Sequence, residues 1–122
     1  MPTLSEVLFL VHTLIETVLG AVKLRGKYSK LALPDGAERY VRHHGVSLLG
    51  LALLGFLVLY RRQVHAEAGA IAAIALAFFH AGALCAAYGG HGPPLLLMHG
   101  GMAIGFAVHA WRYHSGAGQR KK

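Results

Sequence analysis

Five side chains are candidates for chemistry in an apolar setting: His12, Glu16, His44, His80 and His99. His12 and Glu16 are four residues apart, so a helix presents the imidazole and the carboxylate on one face. His80 and His99 lie within Ala68–Trp111, a stretch with no Asp, Glu, Lys or Arg. Imidazoles with a carboxylate form the ligand set of a first-row transition metal such as zinc, iron, copper or nickel. Helical bundles build such sites from inward side chains on facing helices. Two histidines on facing helices are also the axial pair of a haem b. The same groups could relay protons, or act as acid and base on a lipid-soluble substrate. No fixed-spacing motif such as H-E-x-x-H is present. Everything therefore depends on where the helices bring these residues.

The helices that must position them have membrane character. The chain has 122 residues, 55% of them hydrophobic and only 14% charged, against about 25% charged in typical soluble domains. Apolar runs of about 20 residues flank Gly89-Gly90-His91-Gly92-Pro93-Pro94, a turn that no helix interior tolerates. An ionisable group inside such a run is expensive, and it marks a functional site by default. The reading is an all-α, four-helix up-down bundle, integral to the membrane as a single domain, with both termini on one side. The expected helices are about 4–24, 36–62, 66–87 and 94–113, with residues 116–122 a disordered basic tail. Thr3 and Glu6 have the spacing of a capping box for the first helix. Glu6 also stands where a signal peptide would carry positive charge, so this helix is read as retained. Leu33-Pro34-Asp35-Gly36 is a turn leading into the second helix, with Asp35 as its N-cap. Gly45, Gly50 and Gly55 suggest close packing on more than one side, and Gly101–Gly105 is a GxxxG. The alanine-dense third helix is expected at the centre of the bundle.

Each helix contributes a polar group to the half of the membrane opposite the termini. At about 1.5 Å per residue, Glu16, His80 and His99 lie roughly 8–12 Å below that surface. His44 lies nearer the surface and His12 one turn deeper. His65, His91, His109 and His114 lie near helix ends, where an interfacial place is the default. Simpler roles compete with the functional ones. Buried histidines often only glue helices together, Thr13 and Thr17 can bond their own helix, and Cys85 reads as a small buried residue. Lys23, Arg25, Lys27, Lys30, Arg61 and Arg62 flank the apolar runs and are expected at the membrane surface among anionic headgroups. The twelve Lys and Arg divide equally between the two sides, so charge does not orient the bundle. A single cysteine excludes an internal disulfide and a Cys-rich zinc site.

Glu16 in the first of four helices, with the chain length, resembles the small multidrug-resistance exporters. Gly20-Ala21-Val22-Lys23 resembles the first-helix ending of DoxX-like membrane proteins. A histidine in every helix departs from the exporters, and four residues assign no family. Three functions follow as expectations. The first is a transition metal or haem held by His12, Glu16, His44, His80 and His99, with action on a lipid-soluble substrate or electron transfer. The second is a small transporter in which Glu16 couples to protons. The third is a cofactor-free accessory subunit of a larger membrane complex. The expected partners are the bilayer and either further copies of the chain or other subunits; nucleic acid is not among them.

Overall fold

The computed structural model describes residues 1–25, 36–87 and 92–116. Four helices follow one another: α1 (Leu4–Leu24), α2 (Ala37–Tyr60), α3 (Glu67–Ala87) and α4 (Pro93–His114). Each is long and apolar enough to cross a membrane. Thr3 caps α1 as its spacing demands: its hydroxyl accepts from the Glu6 amide, while the Thr3 amide donates to the Glu6 carboxylate at 2.7 Å. α2 begins after Gly36, whose φ of +81° is the left-handed conformation that favours glycine. That glycine is the N-cap, and no side chain bonds the first turn. Leu33, Pro34 and Asp35 lie outside the described residues, as do Lys27, Lys30, Tyr88, Gly89, Gly90, His91 and the tail beyond Gly116.

α2 stops at Tyr60, two residues before the sequence-based limit, and the reason is local. Arg62 adopts φ +54°. Its amide donates to Leu59 and the Gln63 amide donates to Val58. That paired closure is a Schellman motif, here with arginine where glycine is usual. α4 starts one residue earlier than expected, with Pro93 in the first turn behind Gly92.

α1 and α2 pack as one antiparallel hairpin and α3 and α4 as another, and the two hairpins meet more lightly. Each helix packs chiefly on its hairpin partner, and α1 with α4 and α2 with α3 meet to a similar, smaller extent, so no helix is central. The alanine-rich helix is thus not the central one. Small residues allow close approach, but one partner can take up all of it. At Gly20 and Gly45 the two backbones lie directly against each other. A Cβ on Gly45 would lie 2.7 Å from the Leu24 nitrogen and 2.9 Å from the Gly20 oxygen. Gly55 of α2 meets Thr13 of α1, while a Cβ on Gly50 or Gly101 would meet nothing within 4 Å. Two of the three α2 glycines therefore serve a single interface. Gly105 packs on Leu8, joining α4 to α1.

The apolar core occupies the half of the bundle nearest the termini. Phe9, Val58, Val64, Ala72, Ala73, Leu76, Phe106 and Ala110 form one buried cluster. The Phe9 and Phe106 rings meet edge-on with centroids 5.1 Å apart, a preferred aromatic geometry. The outer surface is also apolar: Leu14, Val18, Leu53, Phe56, Ile71, Phe78 and Ile104 all point outwards. Tyr60 and Trp111 are exposed near helix ends. Cys85 is exposed on α3 rather than buried, because its face of the helix has no neighbour among the described residues.

Candidate functional site

α1 carries an inward stripe at three- and four-residue steps: Phe9, His12, Glu16, Gly20 and Lys23 are all buried. His12 and Glu16 are each 1% exposed, and the His12 Nε2 lies 4.0 Å from the Glu16 Oε1. α3 supplies His80, also 1% exposed. Its ring meets that of His12 edge-on at 5.1 Å. One nitrogen from each of His12 and His80 and one Glu16 oxygen all lie within 4.8 Å of one another. Phe106 closes the group from the core side, stacked against His80 and edge-on to His12.

The remaining candidates are arranged around this trio. The His99 Nδ1 of α4 is 3.0 Å from the His80 Nδ1, so His99 joins the group through His80. His44 stays apart. Its Nδ1 is 3.0 Å from the Lys23 ammonium, nearer the end of the bundle away from the termini. Lys23 is only 8% exposed, so it turns into the bundle, not towards headgroups. Arg25, Arg61 and Arg62 are exposed.

Several atoms of the trio have no hydrogen-bond partner among the described residues: both His12 nitrogens, the Glu16 Oε2 and the His80 Nε2. Buried polar groups are ordinarily satisfied, and each exception needs an explanation. A cation shared by the three would supply one. Two imidazole nitrogens and a carboxylate oxygen from two helices suit a borderline or hard first-row ion. His80 is the best-supported ligand of the three. If its Nδ1–H donates to His99, its Nε2 is left with a lone pair, the arrangement metal-bound histidines show.

A cavity of about 560 Å³ opens next to the trio, between the two hairpins. Glu16, Lys23, His44 and His99 form its polar wall, and Leu48, Phe78, Phe79 and Leu95 are among its apolar lining. Phe78, at its rim, is 83% exposed. On the other side of the trio, Phe9, Leu76 and Phe106 are fully buried. They separate it from a second polar group at the terminal end. There the His109 Nδ1 is 2.8 Å from the Ser5 hydroxyl, and the Thr3 hydroxyl is 3.2 Å from His65.

No protein-family model, curated protein or solved structure matches this chain. The site must be judged on its own geometry.

Sequence reasoning missed Lys23 and His109 as inward residues. His109 is 7% exposed and so packs inwards near the end of α4. The signal was available in the helix period. Lys23 lies seven residues after Glu16, on the same stripe, and His99, Met102, Phe106 and His109 follow one another at three- and four-residue steps on α4. Proximity to a helix end outweighed that period, although a helix end is as easily buried as a helix middle when a neighbour covers it. Thr17 donates to the Thr13 carbonyl at 2.7 Å, the self-satisfied arrangement expected of it.

Proposed function

We propose that this protein spans the membrane with four helices and holds a first-row transition metal ion, zinc or iron, through His12, Glu16 and His80. The observation that carries the reading is the convergence of three buried ligand groups, several of whose polar atoms have no hydrogen-bond partner among the described residues. Zinc and non-haem iron both accept two histidines and one carboxylate, and both keep further positions open. The cavity beside Glu16 would give those positions access to molecules entering between the hairpins. With His99 as the acceptor, His80 would carry its proton on Nδ1 and present Nε2 to the ion, and the Phe9–Phe106 pair keeps the opposite side dry. A haem fits less well. The His12 and His80 ring centroids, 5.1 Å apart, are too close for a porphyrin plane between them, and His80 and His99 are bonded to each other.

The membrane part of the reading rests on four apolar spans and an apolar outer surface. It predicts that the protein stays in the pellet when membranes are washed with alkaline carbonate. The metal part is tested by elemental analysis of detergent-purified protein. The expected result is one zinc or iron per chain in wild type, with near-complete loss in His80→Ala and Glu16→Ala. A folded, metal-free wild type that does not take up added zinc or ferrous ion would sink it.

A further inference from the structure

The cavity between the hairpins has a pronounced division of character. Glu16, Lys23, His44 and His99 stand on one wall, and nearly all the rest is apolar: Leu48, Phe78, Phe79, Gly82, Ala83, Ala86 and Leu95. At about 560 Å³ it falls within the range of about 300–1,000 Å³ that holds small organic ligands. Its exposed rim at Phe78 offers entry from the apolar surroundings rather than from water.

The hydrogen-bond chemistry of the polar wall narrows the ligand. An ammonium can only donate. The 3.0 Å contact from Lys23 to the His44 Nδ1 therefore makes that nitrogen the acceptor, and a neutral imidazole then carries its proton on Nε2. His44 is thus a donor towards any further partner. The wall carries one acidic and one basic side chain, Glu16 and Lys23. An ionic head group brought into this apolar site would meet no surplus of opposite charge among the cavity's own side chains, and it would lose its hydration.

We infer that the cavity binds a lipid-soluble molecule with a neutral carbonyl head, which accepts from His44 while its apolar body lies along Phe79, Ala83 and Leu95. A long-chain ketone, a ketosteroid or a prenylated quinone has this chemistry. The inference goes beyond metal binding and does not require it.

The probe is 2-dodecanone labelled with ¹³C at the carbonyl, added to the full-length protein in phosphatidylcholine nanodiscs. Dodecane and dodecanoate serve as competitors. Saturable binding of about one ketone per chain is expected, with the carbonyl stretch moved to lower wavenumber by a hydrogen bond. His44→Phe should weaken binding about tenfold, the worth of one neutral hydrogen bond, and remove the infrared shift. Gly82→Leu should block the cavity without disturbing a helix contact, because a Cβ at Gly82 meets no atom within 4 Å. The inference is overturned if dodecane competes as well as the ketone, if dodecanoate binds at least tenfold more tightly, or if the folded Gly82→Leu protein binds the ketone as wild type does. Metal content is measured in the same samples. A metal-free protein that binds the ketone with these dependences keeps the carbonyl site and removes the metal reading. A metal-loaded protein that binds no ketone does the reverse.

Discussion

At the scale of single residues, the organising contact is that between His80 and His99. Two Nδ1 atoms 3.0 Å apart require one to donate and the other to accept, so each ring fixes the other's tautomer. If His80 donates, its Nε2 is prepared as a ligand and His99 is the supporting partner. Outer partners of this kind are worth about 10–100-fold in metal affinity. His99→Phe is therefore expected to lower zinc affinity by about that factor in a competition titration, with the helical circular-dichroism spectrum retained. Unchanged affinity would mean that His99 serves only the cavity. His80→Ala is expected to behave differently, with binding lost rather than weakened.

At the scale of elements, the α1–α2 crossing decides whether Glu16 and Lys23 face inwards. Gly45 sits against the backbone of α1 with no room for a side chain, whereas Gly50 looks into open space. Gly45→Val is expected to destabilise the protein by about 1–3 kcal/mol, the usual cost of overpacking. Gly50→Ala should stay within about 0.5 kcal/mol, as surface substitutions do. Thermal unfolding in detergent, followed by circular dichroism, separates the two. If both variants melt together, α1 and α2 do not cross at Gly45. The same crossing explains why Lys23 is inside. Once Gly20 and Gly45 bring the backbones together, the next inward position of the α1 stripe is Lys23, and His44 receives its ammonium.

At the scale of the whole molecule, the apolar cluster and the cavity occupy different halves of the bundle. The half nearest the termini holds the cluster, with Phe9, Leu76 and Phe106 fully buried. The other half holds the cavity, and the polar trio lies where the two meet. Phe106 belongs to both halves, since it packs on Phe9 and covers His12 and His80. Phe106→Ala is expected to cost about 3–5 kcal/mol, from lost contacts and the void left behind. It should also connect the trio to the Ser5–His109 group. Chelation offers a second whole-molecule test. A metal that binds only the folded state, present at 100 times its dissociation constant, contributes about 2.7 kcal/mol. Prolonged dialysis against a strong chelator should then lower the melting temperature, and added zinc or ferrous ion should restore it. A melting temperature indifferent to both treatments would show that the trio holds no ion.

Much of this was legible in the sequence because it depends on neighbours along the chain. Apolar runs of about 20 residues, separated by Gly- and Pro-containing turns at 33–36 and 89–94 and by Arg61-Arg62, establish four long helices. Thr3 and Glu6 specify a cap that needs only one turn of backbone. The four-residue spacing of His12 and Glu16 puts them on one face whatever the helix packs against. What no local pattern supplies is the rotation of each helix about its own axis and the identity of the neighbour it faces. Those depend on which surfaces interlock: Gly20 on Gly45, Gly55 on Thr13, Gly105 on Leu8. That interlocking brought His80 to His12 and Glu16, left His44 with Lys23, and buried His109 against Ser5. Sequence alone determined that this chain carries imidazoles and a carboxylate in apolar helices. Only the tertiary structure decided which of them meet, because contact between helices is set by side-chain shape across a gap that the order of residues does not encode locally.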